Sequence, residues 1–284
     1  MQSLIQRSAA ALISGAFALA ASSALAQTRA ECEKNYKPQV GQAGKDVVWV
    51  PTPDELVARM LRMAQVTPKD IVFDLGAGDG KIAIAAGKVG ATATGIEYNP
   101  DMAKLAQCFV KAEGVGDKVR IIEGDIFKED FSKATVITMY LLPELNLRLR
   151  PTLLNMKPGT RVTSHQFTMG DWDPDETAEI EYRTAYLWIV PAKVDGAWAL
   201  RDQASGQFNV TLKQVFQKIS GDVATGNGKQ PLVGATLRGD EIKFAFNDDK
   251  GITRTLTGTV KGNELTGVLK GAGGADTKVT GSRK

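Results

Sequence analysis

One feature limits what this chain can fold into more than any other: a short apolar run that breaks into three alternate glycines and then becomes helical. Ile71-Val72-Phe73-Asp74-Leu75 is a continuous apolar stretch of the kind found in strands buried on both faces of a parallel sheet. Gly76-Ala77-Gly78-Asp79-Gly80 follows, and Lys81 to Lys88 reads as a helix. Glycines at such a bend permit tight backbone geometry and close approach of a ligand. In an open parallel sheet that ligand sits beyond the carboxyl ends of the strands.

The surrounding pattern fits a doubly wound α/β sheet. Thr52-Pro53-Asp54-Glu55 reads as a helix start, with Thr52 as N-cap, Pro53 at the first helical position and Glu55 three residues after the cap. Strands are predicted over Thr92–Glu97, Val119–Glu123, Thr135–Tyr140, Thr160–Ser164 and Tyr186–Val190, and helices over Pro100–Glu113 and Leu145–Met156. Strands that alternate with helices at this spacing require helical crossovers between parallel neighbours. From Asp195 the grammar changes to short runs, among them Phe208–Ile219, Leu232–Leu237, Glu241–Phe246, Ile252–Val260 and Glu264–Leu269, separated by Gly- and Asp-rich turns. These predict a small antiparallel meander or barrel-like domain over 195–284. The expected organisation is therefore a leader at 1–26, a polar tail at 27–46, an α/β domain at 47–191 and the β-rich domain.

The leader reads as an export signal: Arg7, an apolar run from Ser8 to Ala21, and Ala24-Leu25-Ala26 before Gln27. It predicts a periplasmic or secreted protein without a stable membrane span after cleavage. An uncleaved, membrane-anchoring leader is the alternative. The formal charge is +3, and loss of a leader holding Arg7 and no acid lowers it by one, so no electrostatic case exists for nucleic acid. The two cysteines, Cys32 and Cys108, can bridge in an oxidising compartment, but one tail cysteine and one buried helix cysteine is the expected arrangement. One histidine, His165, excludes metal sites that need two imidazoles and reads as a structural residue.

The glycine loop narrows the ligand further. A dinucleotide fingerprint would place glycine or alanine at Lys81, and a P-loop would follow Gly80-Lys81 with Ser or Thr instead of Ile82. Asp74 would gain nothing beside a pyrophosphate and much beside a cationic amino group.

Asp74-x-Gly76-x-Gly78-x-Gly80 resembles the first motif of the class I S-adenosylmethionine-dependent methyltransferases. The resemblance implies a Rossmann-like, mostly parallel sheet in which Thr52, Asp74, Gly76, Ala77, Gly78 and Gly80 lie on the cofactor side, Asp74 and the Gly76–Gly78 backbone holding the methionine part. It implies that Glu97 takes the ribose hydroxyls, and that Asp125 and Ile126, after Gly124, flank the adenine. Within that class the chain is similar to the lysine methyltransferases related to the enzymes of the mitochondrial ATP synthase c-subunit and adenine nucleotide translocase. That likeness spans about Val48 to Val190 and rests on Val50-Pro51-Thr52-Pro53, the loop itself, Tyr140-Leu141-Leu142-Pro143-Glu144-Leu145, and Lys157-Pro158-Gly159-Thr160-Arg161-Val162 to Ser164-His165. Gln166 departs from it, standing where an acid commonly follows.

The resemblance implies methyl transfer to a lysine amine of a protein substrate. Tyr140, Leu142 and Pro143 are then expected to line the acceptor channel, with Tyr140 bonding the amine. The Asn/Asp-Pro-Pro-aromatic sequence of base-amine methyltransferases is absent, which argues against a nucleic-acid substrate. An exported protein must meet a cofactor made in the cytoplasm. Two other readings therefore stay open: an exported, non-catalytic nucleoside-ligand-binding protein, and a small-molecule methyltransferase.

Overall fold

A parallel register, set by buried strands and helical crossovers, builds the first half of the chain. The computed structural model describes residues 28–46, 48–204, 206–226, 228–271 and 275–284; the expected leader lies outside them. Two short helices come first, α1 (Arg29–Cys32) and α2 (Asp54–Met63), and then β1 (Ile71–Leu75), α3 (Lys81–Lys88), β2 (Thr92–Glu97), α4 (Pro100–Ala112) and β3 (Val119–Glu123). The chain continues through β4 (Val136–Met139), α5 (Pro143–Leu154), β5 (Arg161–His165), β6 (Glu176–Ile180) and β7 (Arg183–Ile189). The seven strands run in the order β3-β2-β1-β4-β5-β7-β6. Only β7 opposes its neighbours, pairing antiparallel with both β5 and β6. The order reverses between β1 and β4, which is where such sheets open a crevice for ligands.

Side-chain period explains the layers. Leu56, Val57, Met60 and Leu61 put one face of α2 against the sheet, and Met102, Leu105, Ala106, Phe109 and Val110 do the same for α4; all are buried. Asn99 caps α4 by accepting from the Asp101 and Met102 amides, and Pro100 sits at its first position. The cap expected at Thr52 is not made. Pro53 is the N-cap of α2 and forms no side-chain bond, because the Thr52 hydroxyl is turned inward to His165.

The polar tail is also more than a tail. Cys32 of α1 is bonded to Cys108 of α4, with Cα atoms 5.7 Å apart, in place of the two separate cysteines expected. Arg29 adds an ion pair to Glu113 at 2.8 Å and lies over the Phe109 ring.

The second half is a nine-stranded antiparallel sheet of β8 (Gly196–Asp202), β9 (Gly206–Val215), β10 (Lys218–Thr225), β11 (Gly228–Pro231), β12 (Val233–Arg238), β13 (Glu241–Asn247), β14 (Thr253–Lys261), β15 (Glu264–Gly271) and β16 (Thr277–Arg283). Its order, β11-β10-β9-β8-β16-β15-β14-β13-β12, curls until β10 and β11 approach β12 and β13, forming a nearly closed barrel. Strict alternation fills it: Ile242, Phe244 and Phe246 point inward from β13 to meet Trp198, Leu200 and Leu256. The run expected as one strand, Phe208–Ile219, is two, folded back at Phe216 with φ +54°. This hairpin rests on the first domain, where Phe216 stacks on Trp172 with centroids 6.0 Å apart and Gln217 donates to the Asp173 carbonyl.

Among the described residues no helix is long and apolar enough to cross a membrane, and no cluster of three metal-ligating side chains exists.

Candidate functional site

The carboxyl ends of β1, β2 and β4 and the segment before α2 enclose a cavity of about 240 Å³. Asp74, Gly76, Ala77, Gly78, Glu97, Asp125, Ile126, Thr52, Tyr140 and Leu142 line it, so most of the residues expected at a site meet at one place.

The sheet register creates the polar floor. Asp74 on β1 lies beside Thr138 on β4, whose hydroxyl donates to the carboxylate at 2.7 Å. Asp74 is only 2% exposed, and burial pushes its carboxyl up to about 7, with the Asp79 and Glu97 charges adding to the rise and the Thr138 bond opposing it. Burial also raises the Asp79 carboxyl. Glu97, at the end of β2, reaches back to the loop: it accepts from the Gly78 amide at 2.8 Å and, through its other oxygen, from the Asn99 amide at 2.8 Å. Asp125 closes a turn by accepting from the Phe127 amide, which with Lys45 holds its carboxyl below the usual range.

Among the described residues Asp74, Asp79 and Glu97 form no ion pair. Lys81, whose charge together with that of Arg29 partly offsets the rise at Asp79, pairs with Asp54 at 3.0 Å, and Lys45 pairs with Asp125 at 3.2 Å. A cationic ligand fits this floor, and a phosphate does not. Backbone access is present too. Gly78 has φ +55°, and a Cβ there would come within 2.8 Å of the Trp49 indole nitrogen, so only glycine allows both the bend and the wall above it. The residues of this floor therefore fit a cationic ligand such as S-adenosylmethionine.

The mouth is aromatic. Tyr140 follows β4 and lies on His165, centroids 3.8 Å apart, with Phe167 stacked at 6.2 Å. Burial raises the Tyr140 phenol, which keeps it protonated. His165 is 1% exposed and accepts or donates at Nδ1 to Thr52 Oγ1 at 3.0 Å; burial and then Arg183 lower its ring to about 4, so it is neutral at pH 7. Asn146 on α5 fixes the loop after β5 by donating to the Phe167 and Thr168 carbonyls, each at 3.2 Å.

Two expected site residues lie elsewhere. Gly80 does not line the cavity; it is the left-handed N-cap of α3, packed against Ala106 of α4. Pro143 is exposed at the first position of α5 and starts that helix without lining the channel. Gln166, with φ +68°, pairs with the Thr184 backbone beside β7 and is not a cavity residue. Missing from the sequence reading were Lys45, Trp49, Tyr98, Leu145 and Phe167, all of which line the cavity. Tyr98 was findable, standing directly after Glu97 at the end of β2. Lys45 and Trp49 carried no local signal, because they reach the cavity through long-range contacts, with Asp125 and against Gly78.

The chain matches the ANTKMT methyltransferase domain over residues 74–176. It is 42% identical over 151 residues to a protein-lysine N-methyltransferase of Saccharolobus islandicus (strain REY15A), a match covering 51% of this chain and 94% of that protein. To the Rattus norvegicus lysine N-methyltransferase that acts on the ATP synthase c-subunit it is 30% identical over 145 residues, covering 51% of this chain and 67% of the relative. A crystal structure described as an RNA methyltransferase from Salinibacter ruber in complex with S-adenosyl-L-homocysteine superposes with a TM-score of 0.50 at 48% identity, covering 51% of this chain and 96% of that one.

Proposed function

The chain belongs to the family of S-adenosylmethionine-dependent methyltransferases that includes these protein-lysine N-methyltransferases, and from that membership we propose that it methylates a lysine amine of a protein substrate outside the cytoplasm. The observation that carries the lysine reading is the join of two chemistries in one cavity. An acidic, glycine-floored half suits a cationic nucleoside, and it opens directly onto a half-buried apolar and aromatic mouth of Tyr140, Leu142 and Phe167.

When bound, S-adenosylmethionine supplies a methyl group activated by its positively charged sulfur. Where the residues stand supports the roles we assign them. The Asp74 carboxylate and the Gly76–Gly78 backbone hold the cationic amino-acid end, and Glu97 keeps lone pairs for the vicinal hydroxyls. Asp125 and Ile126 flank the base. In-line transfer needs alignment more than a covalent partner. It also needs a lysine that arrives neutral, and low polarity at the mouth favours that form. We assign the Tyr140 phenol oxygen the role of accepting an N–H of the amine, which leaves the nitrogen lone pair free to face the methyl group, and Phe167, beside a loop held by Asn146, the role of keeping water out.

Export rests on two supports: the leader at 1–26 and the Cys32–Cys108 bridge, since disulfides persist in oxidising compartments. We place the protein in the periplasm or outside the cell, with membrane anchorage through an uncleaved leader as the alternative.

Calorimetric titration with S-adenosylmethionine, with Asp74→Ala as control, tests the cofactor half; no heat with the unmutated protein would end the enzyme reading. Methyl-³H transfer to a periplasmic protein extract and to total RNA, followed by acid hydrolysis, tests the acceptor. Label recovered as methyl-lysine is the expected result. Label in RNA, the substrate class named for the Salinibacter ruber protein, or only in small molecules, would overturn the lysine assignment.

A further inference from the structure

The run 42–46 and 48–52 forms one wall of the cofactor cavity. It is part of a segment tied down at both ends. At the far end the Thr52 hydroxyl meets buried His165 and the chain enters α2. At the near end Cys32 is bonded to Cys108. Between the ties the segment folds on itself, Gly41 donating to the Trp49 carbonyl at 2.8 Å and Trp49 to the Gln42 carbonyl at 2.9 Å. Two side chains then reach the cavity: Lys45 crosses to Asp125, with its ammonium 4.0 Å from the Tyr98 ring centroid, and Trp49 lies on Gly78. The bridge is close to the cavity as well, because Met102 lines it and Cys108 stands six residues further along α4, roughly 9 Å at helical rise.

We propose that the Cys32–Cys108 bridge sets cofactor affinity by holding this strap as a finished wall, so that the oxidised protein binds S-adenosylmethionine and its demethylated product more tightly than the reduced one. The inference rests on the cofactor reading of the cavity. A preorganised wall costs the ligand little to use, whereas a segment of roughly 20 residues held at one end must be ordered at each binding event. Part of that order survives without the bridge, since Arg29 still pairs with Glu113 and covers Phe109. The remaining loss is expected to be about tenfold in Kd, equal to about 1.4 kcal/mol. Such an enzyme is weak where thiols are kept reduced and reaches full affinity after export.

The test is calorimetric titration of the full chain with S-adenosylhomocysteine in three states: oxidised, reduced with dithiothreitol, and as the Cys32→Ala/Cys108→Ala variant. The dithiol gives two electrons and two protons to the sulfur pair, leaving two thiols, and closes to its own cyclic disulfide. Circular dichroism checks that each state is folded. A Kd about tenfold higher in both bridge-free states supports the inference. A second variant, Trp49→Ala, keeps the bridge and breaks the wall; its Kd should rise in the oxidised protein, and reduction should then add little, because the two changes act on one element. Equal Kd in the oxidised and reduced folded proteins would overturn the inference while leaving the cofactor reading intact. An unchanged Kd in Trp49→Ala would do the same. Absence of binding to the oxidised protein would remove the cofactor reading and this inference together.

Discussion

Lowering the pH from 8 to 6 should weaken S-adenosylmethionine binding about tenfold through Asp74 alone. Burial places this carboxyl at about 7, with the Asp79 and Glu97 charges adding to the rise and Lys81 paired with Asp54. The form that holds a cation is the carboxylate, so the apparent affinity scales with the ionised fraction. That fraction is roughly ten in eleven at pH 8 and roughly one in eleven at pH 6, a ratio of about ten, or about 1.4 kcal/mol. Binding must therefore release about 0.9 proton at pH 6 and about 0.1 at pH 8. Calorimetry in buffers of different ionisation enthalpy measures that number directly, and subtracting the release seen with Asp74→Asn cancels the ligand's own ionisation. The variant should bind weakly and lose the Asp74 component of the pH dependence. Thr138→Val, which removes the bond that opposes the rise, should move the wild-type transition to higher pH. Equal proton release by wild type and Asp74→Asn at pH 6 would refute the reasoning.

Three further outcomes follow from the same structure. His165 is neutral in the fold at about 4, against about 6.5 in the unfolded chain, so the unfolded state gains a proton first; stability is whole above pH 6.5 and falls by up to about 3 kcal/mol as pH drops to 4. Urea unfolding at pH 7.5 and 4.5 measures this, and His165→Asn should flatten the difference. Thr52→Val should cost about 1–3 kcal/mol by leaving the buried His165 Nδ1 without its partner, while Thr52→Ser should be nearly neutral, as read by thermal unfolding. Gly78→Ala, at φ +55° and against Trp49, should destabilise by about 1–3 kcal/mol, shift tryptophan emission and lower cofactor affinity; unaltered emission and affinity would contradict the packing described.

What could be read from the residues was what is decided locally. Asp74 is the last but one residue of β1, Glu97 the last of β2 and Asp125 the second after β3, so their convergence follows from strand order and needs no knowledge of distant contacts. Tyr140 and Leu142 were legible for the same reason. Long-range partners hid the rest. Thr52 has every local mark of a helix cap, yet its hydroxyl is claimed by a histidine 113 positions on, and Pro53 takes the capping position. Cys32 and Cys108 are 76 residues apart, and no local pattern says that they meet. Lys45 and Trp49 likewise reach the cavity through contacts far along the chain, Lys45 with Asp125 and Trp49 against Gly78, that no local pattern announces. Gly80 was assigned to the ligand because it continues the alternation, although its absent side chain serves α4 instead. In the barrel, the fold-back at Phe216 uses an aromatic residue in a left-handed conformation, which carries no turn signal. The strand β6, with its half-exposed Glu-Thr-Ala-Glu-Ile pattern, was missed because an edge strand has only one neighbour to bury it.

The hairpin tip at Phe216 makes the barrel part of the catalytic half's own interior. Trp172 is completely buried, in contact with both Trp188 and Phe216, and Arg150 of α5 lies over the Phe216 ring. Cutting the protein back to the length its shorter relatives occupy would strip that indole of its cover and leave a greasy scar beside the loop that carries Phe167. The barrel is thus a plug as much as a passenger: its hairpin tip covers apolar surface of the first domain.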